Sequence, residues 1–299
     1  MTSTTTIAAP VAVKEFIGLF KPRIAFAISL SALGGMAVTP GLLPEAWQVV
    51  VLAVSVFLAA GSAGAFNQWA ESDLDARMAR TADRLFASGR LNPGTGWLSI
   101  IIVLQAIAIG LIAIFLNGWA AFYTFLGAFT YAVIYTLWLK RRTSLNIVIG
   151  GLAGSFAVLA GAAAIDPMFA VEPLLLAIVL FLWTPPHFWS LAIAVEEDYE
   201  RNTIPMLPAI TGNKLCARII LGHTVALSTL ALLPAALGMG WIYFTFALTG
   251  GLIFTATSVR LVLETSKRRA IINFLASLGQ LLLLLTGAIV DRWLAGGLG

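Results

Sequence analysis

Charge is what this sequence has least of. Asp, Glu, Lys and Arg make up only 11% of its 299 residues, against 60% apolar, whereas a soluble domain carries about 25% charged residues. The polar surface that would cover a water-facing globule is missing, and so is room for a separate soluble domain. A lone cysteine, Cys216, rules out an intrachain disulfide and a thiolate metal cluster. It reads as a small packing residue. The start, Met1 to Glu15, has no basic patch ahead of an apolar run and none of the arginines of a transit peptide. A short flexible tail over residues 1–20 of a bacterial chain is expected. The formal charge of +4 would elsewhere suggest a polyanion, but in a bilayer protein basic excess reports topology, so nucleic-acid binding is not expected.

What is present is a series of apolar stretches. They run from Ile24 to Val38, Trp47 to Phe66, Trp97 to Leu116, Trp119 to Leu139, Asn146 to Ile165, Pro173 to Ala194, Ile219 to Leu237, Trp241 to Val262 and Ile271 to Val290. In hydrocarbon each backbone N–H and C=O must be paired within its own segment, so these are helices. The fold class expected is an all-α integral membrane protein, a nine-transmembrane-helix bundle over residues 21–299. Of the 18 Lys and Arg residues, all but Arg292 fall on one side of this map. Basic residues resist translocation, which puts the N-terminus in the cytoplasm and the C-terminus outside. The membrane expected is the bacterial inner membrane, with lipid as the surrounding partner.

Two inward loops, Gln68 to Gly96 and Val195 to Arg218, hold eight of the 14 acids. In the first, Asn67, Glu71 and Asp75 recur at intervals of four and would line one helical stripe at the membrane boundary. Such an oxygen-only set suits a hard cation such as Mg²⁺, which shares its site with substrate phosphates. Arg77, Arg80 and Arg84 follow within three turns, with forks fitted to phosphate oxygens. Asp73 lies opposite Glu71 on an ideal helix, so either the helix ends there or Asp73 pairs with Arg77. The second loop repeats the theme with Asp198 and Asn202, and two facing carboxylate sets could hold two or three metal ions on one diphosphate. A solvated, salt-bridged loop is the plainer alternative.

Within the sixth stretch, Trp183-Thr-Pro-Pro-His187-Phe-Trp189 puts consecutive prolines and an ionisable group at membrane depth. The prolines predict a kink. His187 reads either as a contact to a buried ligand between aromatic walls or as a hydrogen-bonded packing histidine. His223 reads as structural. The small residues Gly150, Gly151, Gly154 and Ser155 read as a close-packing surface.

These motifs resemble the UbiA-type membrane prenyltransferases, and within them the haem O synthase branch. The likeness rests on Lys21-Pro-Arg23, the Asn67 to Arg84 cluster, Leu139-Lys-Arg-Arg-Thr143, Asn146 to Gly151, Trp183 to Trp189, and Asp198-Tyr199 with Pro205-Met-Leu-Pro208. The acidic motif alone indicates the superfamily. The Pro-Pro-His segment with Asp-Tyr and Pro-Met-Leu-Pro points to the haem branch.

The resemblance implies Mg²⁺-dependent transfer of a farnesyl group from farnesyl diphosphate to the vinyl group of protohaem IX. By the same likeness Asn67, Glu71, Asp75 and Asp198 are metal and catalytic residues. Arg80, Arg84, Lys140 and Arg141 bind diphosphate, and His187, Trp183 and Trp189 contact haem. It also suggests a haem A synthase or terminal oxidase assembly downstream, with direct docking left open. Against the family pattern, Glu71 replaces Asp, Leu85 replaces Pro and is expected to loosen its loop, Ala157-Val158 replace a Pro-Pro pair, and Asn202-Thr203 replace Ala-Gly. Alternatives are another acceptor, such as 4-hydroxybenzoate or a quinone precursor, and a secondary transporter, since duplicated halves and broken helices also occur there.

Overall fold

A computed structural model describes residues 12–168 and 170–296. Among them every regular element is helical. In chain order these are α1 (Val13–Gly18), α2 (Pro22–Val38), α3 (Ala46–Ala70), α4 (Ser72–Asp75), α5 (Thr95–Phe115) and α6 (Gly118–Leu139). They are followed by α7 (Asn146–Ala163), α8 (Val171–Ala194), α9 (Glu196–Arg201), α10 (Leu207–Thr211), α11 (Asn213–Ala236), α12 (Trp241–Leu263) and α13 (Lys267–Gly296). Eight of them are long and apolar enough to cross a membrane. The first expected crossing, α2, is an apolar helix of 17 residues, about 25 Å at 1.5 Å per residue.

Part of the expected N-terminal tail, residues 1–11, lies outside the described residues. From residue 12 the chain forms α1, and Leu19 is buried against Leu85 and Phe86. Leu85 is 2% exposed, so it anchors the loop after the arginines and does not loosen it. The reason is apolar burial, which Leu supplies at a position where Pro would supply rigidity.

The long helices close into a ring. Each packs on its neighbour in sequence, α2 on α3, α3 on α5, and so on to α12 on α13, and α13 returns to touch α2 and α8. The tightest seam joins α2 and α7. A Cβ on Gly35 would stand 2.1 Å from the Val158 carbonyl oxygen, and one on Gly161 1.7 Å from that of Ala32. Only glycine permits backbones this close, which is how helices attract when lipid supplies no hydrophobic drive between them. The glycines of α7 behave as a packing surface: a Cβ on Gly150 would press on Tyr135 and one on Gly151 on Thr184, and Ser155 donates to the Ala177 carbonyl at 2.8 Å. Cys216 is buried in α11.

At one end of the ring α3 stops, α6 stops, α8 gives way to α9, and α13 begins. Ion pairs Lys140–Glu71 and Lys267–Glu197 tie these ends together. At the other end Asp291 of α13 accepts from the backbone N–H of Gly240 at 2.6 Å, fastening the start of α12. Both acidic loops therefore belong to one end of the bundle.

Candidate active site

α3 does not run straight through the acidic motif. Glu71 leaves the helical region at φ −110°, ψ 16°, and the chain restarts as the single turn α4. This break still leaves Asn67, Glu71 and Asp75 all buried. It also sends Asp73 outward to Arg141, at 2.9 and 3.3 Å, in an ion pair about half exposed at both ends. Of the two expectations for Asp73, the helix end is realised, and its partner is Arg141 in place of Arg77. The Arg141 guanidinium holds the Asp73 carboxyl below its ordinary range.

The buried side chains form one network. Lys140 Nζ lies 2.5 Å from Glu71 Oε2, which also accepts from Asn67 Nδ2 at 2.7 Å. Asn67 Oδ1 accepts from Lys21 Nζ at 2.5 Å, and Lys21 reaches on to the Tyr131 hydroxyl at 3.0 Å. Arg84 Nη1 pairs with Asp75 Oδ2 at 2.6 Å. Lys21 sits in the left-handed region, φ 47°, at the entry to α2, a strained backbone of the kind found where function fixes a side chain. Burial first, and then the nearby Arg84, bring its ammonium down to about 7.

The far wall comes from α6, whose second half, Thr130–Leu139, is wound as a π-helix. The wider winding stacks Tyr131 on Tyr135, 5.7 Å apart and 13° from parallel, and aims Thr136 at Asn67. From the second loop, Tyr199 stands beside Arg80, and burial raises its phenol. Asn202 donates to the carbonyls of Asp198 at 2.8 Å and Arg77 at 3.4 Å. Leu74 and Met78 pack with Tyr199, Ile204 and Met206, so the two loops meet. The Asp198 carboxylate is half-buried and has no ion pair among the described residues.

Charges in this network do not balance. Lys140 and Arg84, with Arg80 close by and Lys21 charged about half the time at neutral pH, face two carboxylates, Glu71 and Asp75. Such an excess is built for an anion. A metal ion fits beside it: Glu71 Oε1 is buried with no hydrogen-bond partner, an acceptor aimed at something cationic. Among the described residues no three of His, Cys, Asp and Glu converge on a metal site. A Mg²⁺ ion needs only one or two carboxylates and takes its remaining oxygens from phosphate and water.

Beneath the network an apolar cleft runs between α2, α3, α6 and α7. Lys21, Gly64 and Tyr131 stand at its head, and Ile28, Val56, Tyr123 and Ala157 lie deeper. The eight residues from Gly64 to Val56 correspond to about 12 Å along α3. The same lysine thus touches the polar network and the cleft.

Along α8 the helix is continuous through Pro185 and Pro186, so the motif does not end the element. The hydroxyls of Thr184 and Ser190 bond back to the carbonyls of Leu180 and Pro186. His187 is buried between Trp183, 4.3 Å away at 17°, and Phe274 of α13, 4.4 Å away at 25°. Trp189 is not with them: it sits edge-on to His223, 5.4 Å away, in a different part of the core. Two residues of helical advance turn it to the opposite side of α8. His223 itself bonds the Ile219 carbonyl at 3.0 Å, as a structural residue would.

The pattern of the UbiA prenyltransferase family matches residues 28–283. This chain belongs to the UbiA prenyltransferase family. Among its relatives, the protein named protoheme IX farnesyltransferase 2 of Paramagnetospirillum magneticum is 49% identical over 95% of this chain and 98% of its own. The protein named protoheme IX farnesyltransferase of Alkalilimnicola ehrlichii is 39% identical over 96% and 95%. In shape the chain is similar to a UbiA homologue from Aeropyrum pernix, with TM-score 0.72, 20% identity, and 94% and 99% of the two chains covered. It is also similar to a UbiA homologue from Archaeoglobus fulgidus solved with GPP and Mg²⁺, with TM-score 0.69, 13% identity, and 90% and 99% covered. At these identities the structural likeness speaks for the fold alone.

In this UbiA family member the structure gathers Asn67, Glu71, Asp75, Arg84 and Lys140 into one network, with Arg80 at its edge through Tyr199. It spends Arg141 on Asp73. Sequence reading missed Lys21, Tyr131, Thr136 and Tyr199 as network members. Lys21 carried a signal, a lysine next to Pro22 at the mouth of the first apolar stretch, and Tyr199 stood next to Asp198 in the second acidic motif. Tyr131 and Thr136 reach the site through a π-wound segment that apolar periodicity does not reveal, and Tyr199 reaches it from the second loop.

Proposed function

We propose that the chain transfers a farnesyl group from farnesyl diphosphate to a vinyl group of protohaem IX, with Mg²⁺, in the bacterial inner membrane. We place it there as nine crossings, with the N-terminus cytoplasmic and the C-terminus outside. The observation that carries the reading is the cation-rich network standing over the apolar cleft, joined at Lys21. An amphiphile with a multiply charged anionic head and a hydrocarbon tail is what such a junction holds. The names of the most similar relatives favour farnesyl as the tail and protohaem as the acceptor.

In this reading the diphosphate becomes a further partner of Lys21, Arg84 and Lys140, which Asn67, Asp75 and Glu71 hold in place, with Arg80 and Asp198 closing from the loops. Asn67, Glu71 and Asp75 on one side and Asp198 on the other would hold Mg²⁺ ions shared with the diphosphate, which would neutralise the leaving group's charge. Lys140 and Arg84 are held in place before reaction by Glu71 and Asp75, so little reorganisation is needed as charge develops on the departing oxygen. The C1–O bond breaks at the head of the cleft, beside the Tyr131 ring, and the apolar walls keep water from the allylic cation. The vinyl carbon of the acceptor bonds to C1, and water adds to the resulting cation as hydroxyl with release of a proton. His187 lies on α8, eleven residues before Asp198 on α9, and the porphyrin would lie between the two.

The test is extraction of haem after incubating membranes that carry the chain with protohaem and farnesyl diphosphate, with and without Mg²⁺. A haem heavier by one farnesyl group and one hydroxyl, formed only with the metal, is expected by mass spectrometry. Unchanged haem beside prenylated 4-hydroxybenzoate would assign another acceptor. Solute flux without any diphosphate requirement would assign a transporter.

A further inference from the structure

The Ser277 hydroxyl donates to the Phe274 carbonyl oxygen at 2.6 Å, which commits its only proton. Its oxygen also lies 2.7 Å from His187 Nδ1. With the serine proton spent, the proton between these two atoms belongs to the histidine, so Nδ1 is the N–H nitrogen. In a neutral imidazole the other nitrogen, Nε2, then carries a bare lone pair. No hydrogen bond to Nε2 is made among the described residues. Ring orientation is fixed as firmly as the tautomer: Trp183 and Phe274 cover the two faces, Phe188 stands edge-on at 5.3 Å, and Trp183 Nε1 bonds the Ser277 carbonyl at 3.0 Å. Ser277 thus holds the histidine through its side chain and the covering tryptophan through its backbone, and is itself fully buried.

We infer that Ser277 is a positioning residue that presents His187 Nε2 as a ligand to the iron of a haem acceptor. This rests on the haem reading above and decides what His187 touches within it. A propionate needs an N–H or a positive charge from the histidine; the imidazolium that would supply them is disfavoured by burial between the apolar faces of Trp183 and Phe274, and Nε2 of the neutral ring offers neither. Ferrous or ferric iron needs a lone pair from a neutral ring whose other N–H is engaged, which is the arrangement of metal-bound histidines generally. The acceptor of that N–H is a serine relayed to a backbone carbonyl, an apolar version of the usual carboxylate partner.

The experiment compares two porphyrins that differ only in iron. Full-length protein in detergent is titrated with protohaem IX and with iron-free protoporphyrin IX, following the Soret band. The wild-type chain prefers protohaem, and His187→Ala abolishes the preference while leaving the iron-free porphyrin unaffected. Ser277→Ala lowers protohaem affinity about tenfold, and Ser277→Thr, which keeps the hydroxyl, restores it. Unchanged affinity for the iron-free porphyrin establishes that the variants are folded. Full iron preference in Ser277→Ala overturns the role of Ser277, and equal weakening of both porphyrins by His187→Ala makes the contact a propionate. If the wild-type chain binds farnesyl diphosphate but neither porphyrin, the haem reading itself falls, and this inference with it.

Discussion

Lys140 Nζ stands 2.5 Å from Glu71 Oε2, with side-chain exposures of 12% and 2%. The pair joins the end of α6 to the break after α3, across 69 residues of sequence. Removing one partner of a buried pair strands the other's charge, which costs about 3 kcal/mol. Lys140→Met is therefore expected to lower stability by about that amount, read by denaturant unfolding in micelles. The double variant Lys140→Met, Glu71→Gln should recover most of the loss, and a single variant as stable as wild type would show that the pair is not buried in solution.

The Arg84–Asp75 contact at 2.6 Å leads to a kinetic expectation. Losing a preorganised donor to a developing oxyanion costs about 10²–10³ in turnover. Arg84→Ala should lose that much in kcat and leave protohaem affinity unaltered. A change in KM for the acceptor with kcat intact would remove Arg84 from the diphosphate end.

Metal dependence is expected to follow Glu71, because its Oε1 is buried without a partner. Glu71→Asp should keep Mg²⁺-dependent turnover, while Asp75→Ala and Asp198→Ala lose it with folding intact. Turnover undiminished by EDTA would exclude the metal from the reaction. A large loss on Glu71→Asp would mean the site is built around the longer arm.

Chain-length choice belongs to the cleft. Ala60 lines it midway along α3, so Ala60→Leu fills the lower half. Overpacking of this size costs 1–3 kcal/mol, about tenfold or more in affinity for farnesyl diphosphate. Geranyl diphosphate should be spared, and competition between the two donors gives the ratio directly. Equal losses for both donors would place the tail elsewhere.

Thr203 is held at φ 52°, in the left-handed region, beside Asn202. Left-handed backbone costs a β-branched residue about 1–2 kcal/mol that glycine does not pay. Thr203→Gly is expected to tighten the second loop, read as slower proteolysis between α9 and α10. Faster cleavage would mean that the threonine side chain, whose hydroxyl bonds the Asn202 carbonyl at 2.8 Å, contributes more than its backbone costs.

The amino-acid sequence by itself determined the helical membrane class, because a chain this poor in charge must pair its backbone within each apolar segment. It also placed most of the acids and nearly all basic residues at one end, and it spaced Asn67, Glu71 and Asp75 four apart, since both are properties of a single segment. Which of those groups meet was decided only in the folded bundle. Lys21 reaches Asn67 over 46 residues and Tyr131 over 110. Arg141 is drawn off to Asp73, Leu85 is pinned under Leu19, and Trp189 faces away from His187. These outcomes depend on where α3 breaks, on the π-winding of α6 and on the return of α13 to α2 and α8. Periodicity reports the face of one helix, whereas a site made by several helices exists only once their packing has fixed the distances between them.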